Sequence, residues 1–279
     1  MTASPSCVGL WHKAALALAS NQPSMTTKTL DAANALLDAR RTATPIDALP
    51  DALAPTTEAE ALAIQDELLL AYGKIGGWKV GAPSPDATPS CAPMPAAWIT
   101  PNAAILAAPH FRFRGVEPEL AFLLGTDLPP RTPDQPPYTL AEVHAAIASA
   151  HPALEVLESA FTEPTTAPAL SKLADLQIHG AFVYGPALAN WQAIDFPHET
   201  VTLIVDGSIR AEHSGTSASP AHFDRLLLWL ANEAAARTGG LYAGQFLTTG
   251  AWTPLTHATA NSTVEAAFTT LGSVSLTFA

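Results

Sequence analysis

The sequence predicts an α+β fold in which helices come first and a mixed set of strands follows. Apolar residues recur at three- and four-residue spacing in two segments before residue 75, the period of an amphipathic helix. Beyond residue 76 come short runs rich in Val, Ile, Phe and Thr, and two of them are joined by Asp206-Gly207, the strongest short hairpin signal. Only two helical patterns, Tyr138 to Ala150 and Pro220 to Arg237, interrupt the strands. That is too few for the alternating units of a doubly wound parallel sheet.

Taken in order, residues 1–24 form a poorly patterned leader, disordered or extraneous, with Met25 as an alternative functional start. Its Ala14–Ala19 run is short and alanine-rich for a secretory signal. Residues 25–75 make a helical region. Leu30 to Arg41 is its first helix, with Arg40 and Arg41 suited to a helix C-terminus. Pro45 and Pro50 break the pattern, and Thr57 with Glu60 sets up a capping box for a second helix to Ala71.

Residues 76–279 form a mixed-sheet catalytic domain. It opens with Gly76-Gly77-Trp78-Lys79-Val80-Gly81, in which Lys79 points opposite to Trp78 and Val80. Residues 82–101, rich in Pro, Ser and Ala, read as a loop able to act as a lid. In the strand Gly115 to Gly125, Glu117 and Glu119 share one face while Leu120 and Phe122 take the other. Pro118 lacks a ladder donor and predicts a strand start or an edge.

Thr139 and Glu142 begin a helix that must stop before Pro152. The run Ala153 to Ser159 is a strand with Glu155 and Glu158 on opposite faces, Glu155 needing a buried partner and Glu158 reaching solvent or an arginine. Asp175 and His179 precede the strand Gly180 to Gly185, and three further strands, Gln245–Thr249, Ser262–Thr269 and Ser273–Phe278, end the chain.

With 279 residues, 48% of them apolar, the chain can bury a sizeable core. A net charge of −12 argues against a nucleic-acid partner or an anionic membrane surface. No apolar run approaches the roughly 20 residues of a membrane span. Cys7 and Cys91 form neither a disulfide framework nor a zinc-ligand spacing, so a reducing, cytoplasmic compartment is the expectation.

Glu117, Glu119 and Glu155 supply hard oxygen donors suited to Mg²⁺ or Mn²⁺. Such an ion takes about six oxygens, so three protein ligands leave room for a chelating substrate. A 2-oxo acid chelates through its carboxylate and oxo oxygens, and Lys79 stands ready to hold that carboxylate or to polarise the oxo group. Zinc fits less well, because no histidine pair stands at ligand spacing.

The runs Gly77-Trp78-Lys79-Val80-Gly81, Val116-Glu117-Pro118-Glu119-Leu120-Ala121-Phe122, Pro152-Ala153-Leu154-Glu155-Val156 and Leu271-Gly272-Ser273-Val274 stand together in this order. In this the chain resembles the 2-oxopent-4-enoate hydratase and 4-oxalocrotonate decarboxylase family of the fumarylacetoacetate hydrolase superfamily, from about Thr29 to Phe278. The resemblance implies a mixed-sheet fold with an N-terminal helical part and a metal held by Glu117, Glu119 and Glu155. Lys79 would then lie in the substrate pocket, which the Thr249-Gly250-Ala251 step lines through its backbone.

The implied activity is that of a metal-dependent lyase, a hydratase or decarboxylase of aromatic catabolism acting on a small 2-oxo acid or 2-hydroxydienoate. The implied assembly is a homo-oligomer, with a complex with another pathway enzyme as a further expectation. Two departures stand out. Where the family has Pro-Asp and an aromatic residue, this chain has Met94-Pro95-Ala96-Ala97-Trp98, and the Ala-Asp-Asn step becomes Ala174-Asp175-Leu176. Either Asp175 or His179 handles protons in place of the missing carboxylate, or the reaction differs. The alternatives are an acylpyruvate-type carbon–carbon hydrolase and a metal-binding pseudoenzyme serving as a partner subunit.

Overall fold

Two helices lead into the sheets. The computed structural model describes residues 27–214, 220–234, 237 and 239–279; the leader read over residues 1–24 lies outside them. Helix α1 (Thr27–Thr42) buries Ala32, Ala33, Leu36 and Ala39. Helix α2 (Glu58–Tyr72) starts where the Thr57 side chain accepts the Glu60 N–H, and stops at Gly73 with φ 86°, a conformation that costs glycine nothing. Both pack with α4 (Ala169–Ala174) around Phe161, so Leu36, Ile64, Leu68 and Leu176 share a core of their own.

The strands form two mixed sheets. Their members are β1 (Ile75–Gly81), β2 (Ser90–Pro95), β3 (Ile99–Pro101), β4 (Ala104–Leu106), β5 (Gly115–Leu124), β6 (Ile147–Leu157) and β7 (His179–Tyr184). After these come β8 (Thr200–Val205), β9 (Ser208–Ser214), β10 (Phe246–Ala251), β11 (Thr256–His257), β12 (Thr263–Phe268) and β13 (Gly272–Phe278). The larger sheet runs β2-β1-β10-β5-β6-β7-β3, with β11 also paired to β5, and the smaller runs β4-β13-β12-β8-β9. Pairs β1–β10, β3–β7 and β4–β13 are parallel and the rest antiparallel.

One core joins the sheets. Leu120, Phe122, Leu154 and Val156 from the larger sheet and Leu203, Val264 and Leu276 from the smaller belong to it, with Phe223 and Leu226 of helix α5 (Pro220–Trp229). A π turn over Leu230–Ala234 continues α5. The Asp206-Gly207 hairpin forms as expected, both residues at positive φ (52° and 73°), as a tight two-residue turn requires.

Four local expectations change. Residues 82–101 are not one loop: only 82–89 lie outside regular structure, followed by β2, a 3₁₀ turn over Ala96–Trp98, and β3. Strands β2 and β3 are the two edges of the larger sheet, where Pro93, Pro95 and Pro101 need not all donate to a ladder. The helix begun by Thr139, with its capping box closed, covers only Leu140–Ala146 as α3. From Ile147 the chain is already strand, because pairing with Leu124 to Leu120 of β5 outweighs the helical preference of its alanines.

Pro118 is not at an edge, since β5 lies between β10 and β6. Its carbonyl accepts the Trp252 N–H at 2.8 Å, so its nitrogen faces the same neighbour. There the β10 register slips between Thr248 and Ala251, and the bulge removes any need for a donor. Finally, the carboxylate of Glu158, a residue 8% exposed, accepts the backbone N–H groups of Phe113 and Ser159 rather than an arginine's.

Candidate metal centre

Alternation along the central strands builds the site. Val116, Leu120 and Phe122 of β5 and Leu154 and Val156 of β6 enter the large core, which turns Glu117, Glu119 and Glu155 to the opposite face. Lys79 joins that face because Trp78 and Val80 of β1 are in the same core. Beside the glutamates lies a small apolar cluster of Met94, Ala121, Ala153, Phe182 and Phe246.

One carboxylate oxygen from each of Glu117, Glu119 and Glu155 lies within 4.8 Å of the others. Glu119 is 2% exposed and Glu155 fully buried. Lys79 Nζ donates to Glu155 Oε1 at 2.6 Å and to the Gln177 carbonyl at 3.3 Å. His179 Nδ1 lies 2.8 Å from the same Glu155 oxygen. An ionised carboxylate only accepts, so Nδ1 carries the proton and Nε2 the lone pair.

The charges do not balance within the cluster. Burial works to raise the Glu155 carboxyl, yet Lys79 and the hydrogen bond from His179 draw it down to about 2. Burial, then repulsion from Glu155, pushes Glu117 up to about 7 and Glu119 well above the usual carboxylate range. Lys79 is held above its ordinary value, since its carboxylate neighbours outweigh burial, and His179 is lowered chiefly by burial.

The residues fit a divalent cation on observations of this chain alone. Glu119 Oε2 and Glu155 Oε2 are buried without a hydrogen-bond partner, and each such atom is costly unless something positive meets it. Three carboxylate donors set against one lysine leave a surplus that a hard, oxygen-seeking ion offsets.

Thr249 and Gly250 occupy the β10 bulge, whose next residue, Ala251, pairs with Glu119. Gly250 has φ 114°, and a Cβ there would meet nothing within 4 Å, so the backbone beside the glutamates is open. Asp175 is placed differently from the other sequence candidates. Its Oδ1 accepts from Arg40 Nε at 2.6 Å, and its Oδ2 from Ser159 Oγ at 2.6 Å and the Ala160 N–H at 2.9 Å.

Two further residues neighbour the cluster. Gln177 contributes a backbone carbonyl to Lys79, which no side-chain pattern signals. Trp98, the aromatic residue of Met94-Pro95-Ala96-Ala97-Trp98, has its ring centre 5.9 Å from that of His179. A cavity of about 710 Å³ lined by Tyr72, Trp98, Arg40, Arg112 and Glu158 has none of the three glutamates in its wall, so the metal-ligand chemistry lies outside it.

No protein-family model and no curated protein sequence matches the chain. Solved structures do match. The 4-oxalocrotonate decarboxylase from Pseudomonas putida G7, complexed with magnesium and adipate, superposes with a TM-score of 0.79 at 23% identity, covering 93% of this chain and all of that one. Fumarylpyruvate hydrolase from Pseudomonas aeruginosa, in complex with Mn²⁺ and pyruvate, gives 0.54 at 17% identity over 72% of this chain and 88% of that one. Fumarylacetoacetate hydrolase from Exiguobacterium antarcticum gives 0.53 at 13% identity over 73% and 74%.

The chain therefore has the fumarylacetoacetate hydrolase-like fold, mixed sheets with an N-terminal helical region. Within that fold it is similar to 4-oxalocrotonate decarboxylase along nearly its whole length, in agreement with the resemblance its motifs carry.

Proposed function

We propose that this protein is a divalent-metal-dependent lyase, a hydratase or decarboxylase, acting on a small 2-oxo acid or 2-hydroxydienoate. The observation that carries this reading is the glutamate cluster, one oxygen from each of the three residues lying within 4.8 Å of the others, with Glu119 and Glu155 buried. Glu117, Glu119 and Glu155 would hold Mg²⁺ or Mn²⁺. When bound, such an ion would supply an electrophilic centre that favours negative charge on the oxo group of a 2-oxo acid.

The chain's own side chains supply the rest. Lys79 has three donors on Nζ, spends two on Glu155 and the Gln177 carbonyl, and offers the third to a substrate carboxylate. His179, kept neutral by burial and fixed by Glu155, presents the Nε2 lone pair as proton acceptor. Glu155 sets that tautomer. The open backbone at Gly250, next to buried Thr249, lets substrate approach Glu119 closely. Asp175 enters through its bond to Arg40 rather than through substrate. The ligands named for the structural neighbours, magnesium with adipate and Mn²⁺ with pyruvate, support a divalent ion and a small acid as the ligands of this chain.

With Mg²⁺ present, the dienol chromophore of 2-hydroxypenta-2,4-dienoate should decay or that of 4-oxalocrotonate should change, and Glu119→Gln should abolish the change. Absence of turnover of either compound sinks the lyase reading. Release of pyruvate and a carboxylic acid from an acylpyruvate identifies a carbon–carbon hydrolase instead. Binding of a 2-oxo acid by calorimetry, with no turnover of any of these, identifies a binding subunit.

A further inference from the structure

Between α4 and β7 the chain makes an unusual turn. Leu176, Gln177 and Ile178 all have positive φ, 53°, 51° and 57°. None is glycine, and for L-residues this conformation is disfavoured because Cβ crowds the following carbonyl oxygen; for β-branched Ile178 it is an outlier. Strain of this kind persists only where the surroundings over-determine it. The turn sits at the site, because the Gln177 carbonyl accepts from Lys79 and His179, the next residue after the turn, bonds Glu155.

What fixes the turn comes from the other end of the chain. Arg40, in the last turn of α1 and 8% exposed at its side chain, donates through Nε to Asp175 Oδ1 at 2.6 Å and through Nη1 to the His179 carbonyl at 2.9 Å. Its Nη2 donates to the carbonyls of Glu158 at 3.0 Å and Asp175 at 3.1 Å. Four of the five guanidinium N–H groups are thus used. They grip the residue before the turn, the residue after it, and the neighbouring end of β6. The Arg40 Cζ also stands 5.7 Å from the centre of the Trp98 ring, and that same ring neighbours His179.

We propose that Arg40 is a positioning residue for the metal centre: its fork holds the left-handed turn Leu176–Ile178, and through that turn orients Lys79 and the His179–Glu155 pair. The inference rests on the metal-site reading for its functional consequence, but the clamp itself is a property of the metal-free chain. A lysine cannot replace it, since a single ammonium has no planar fork to span these acceptors.

The test needs a variant without a stranded buried charge, because removing one partner of a buried pair is strongly destabilising in its own right. Arg40→Met with Asp175→Asn removes both charges, and Arg40→Lys keeps both. Two readouts apply to whichever of these folds. The first is hydrogen exchange in metal-free protein, where the amides of residues 176–180 should exchange faster than in the wild type while the large core stays protected. The second is Mn²⁺ affinity by calorimetry, which should weaken by about 10- to 100-fold, the usual effect of losing a supporting partner behind a metal ligand. Arg40→Lys should fall between the wild type and the double variant.

Ile64→Ala, in the same helical core, serves as a control for general destabilisation: it should lower the melting temperature and leave Mn²⁺ affinity unchanged. Unaltered exchange in residues 176–180 overturns the clamp. Faster exchange with Mn²⁺ affinity within twofold of wild type overturns its role in positioning the ligands. A wild-type protein that binds no Mn²⁺ sinks the metal-site reading, while exchange still decides the clamp.

Discussion

Glu117 of β5 and Glu155 of β6 are direct register partners in the antiparallel pair at the centre of the larger sheet. Like charges placed opposite one another destabilise a sheet, and Glu119 adds a third carboxylate on the same face. The central strands thus carry an electrostatic cost that a cation relieves, and the following expectations test that balance.

Replacing Glu119 by Gln removes one metal donor and a carboxyl that burial and Glu155 force to take up a proton on folding. Metal affinity should fall by more than about 100-fold, since even a partner behind a ligand is worth 10–100-fold. The metal-free variant should melt above metal-free wild type. Calorimetry with Mn²⁺ and thermal melts in chelator check the two halves separately.

Metal-free protein should lose stability as pH rises through the range where Glu117 titrates. Its carboxyl goes from an ordinary 4.5 to about 7 in the folded state, by burial first and then by Glu155. Between those values the folded form keeps a proton that the unfolded chain has lost. The stabilisation is therefore full below about pH 4.5 and gone above about pH 7. Melting temperatures in chelator should decline from pH 5 to 7.5, and saturating Mg²⁺ should flatten the decline. Titrations at pH 6.5 in two buffers of different ionisation enthalpy should register proton release on metal binding.

Lys79→Met leaves buried Glu155 with only the His179 hydrogen bond. Stranding a buried charge costs about 3–5 kcal/mol, so urea denaturation in chelator should show a loss of that order. Saturating Mg²⁺ should recover part of it. A loss unchanged by Mg²⁺ contradicts the shared electrostatics of Lys79 and the ion site.

Gly207→Ala tests the hairpin remote from the site. A Cβ at Gly207 meets nothing within 4 Å, yet φ is 73°, so the cost is conformational alone, about 1 kcal/mol. Thermal melting should fall by a few degrees, with Mn²⁺ affinity untouched.

Local signals were legible where the determining chemistry is local. Thr57 and Thr139 cap helices through atoms three residues away, and Asp206-Gly207 makes its turn from its own backbone preferences. The period of two in β5 is enough to put Glu117 and Glu119 on one face, because burial of the alternate residues leaves no other choice; Glu155 joins them through the register of β6 against β5. Prolines were the poorer guide. Pro93, Pro95 and Pro101 suggested a loop and lie in edge strands, and Pro118 suggested an edge and lies in the sheet centre beside a bulge. A proline reports that a donor is missing; which neighbour lacks the need for it is set by strands far away in sequence.

By itself the sequence determined the class of fold, the common face of Glu117 and Glu119, and the hard-oxygen character of the site, while the pairing of β6 with β5 brought Glu155 to that face. Tertiary structure alone decided which groups those carboxylates answer to. Lys79 and Glu155 are 76 residues apart in sequence, and Arg40 and Asp175 are 135 apart. From sequence Arg40 was a cation favourable at a helix end and Asp175 a candidate proton carrier. Once folded, they bind each other. A buried charge takes the partner that the packing brings within hydrogen-bond reach, and that distance is a property of the assembled sheets and helices rather than of any stretch of chain.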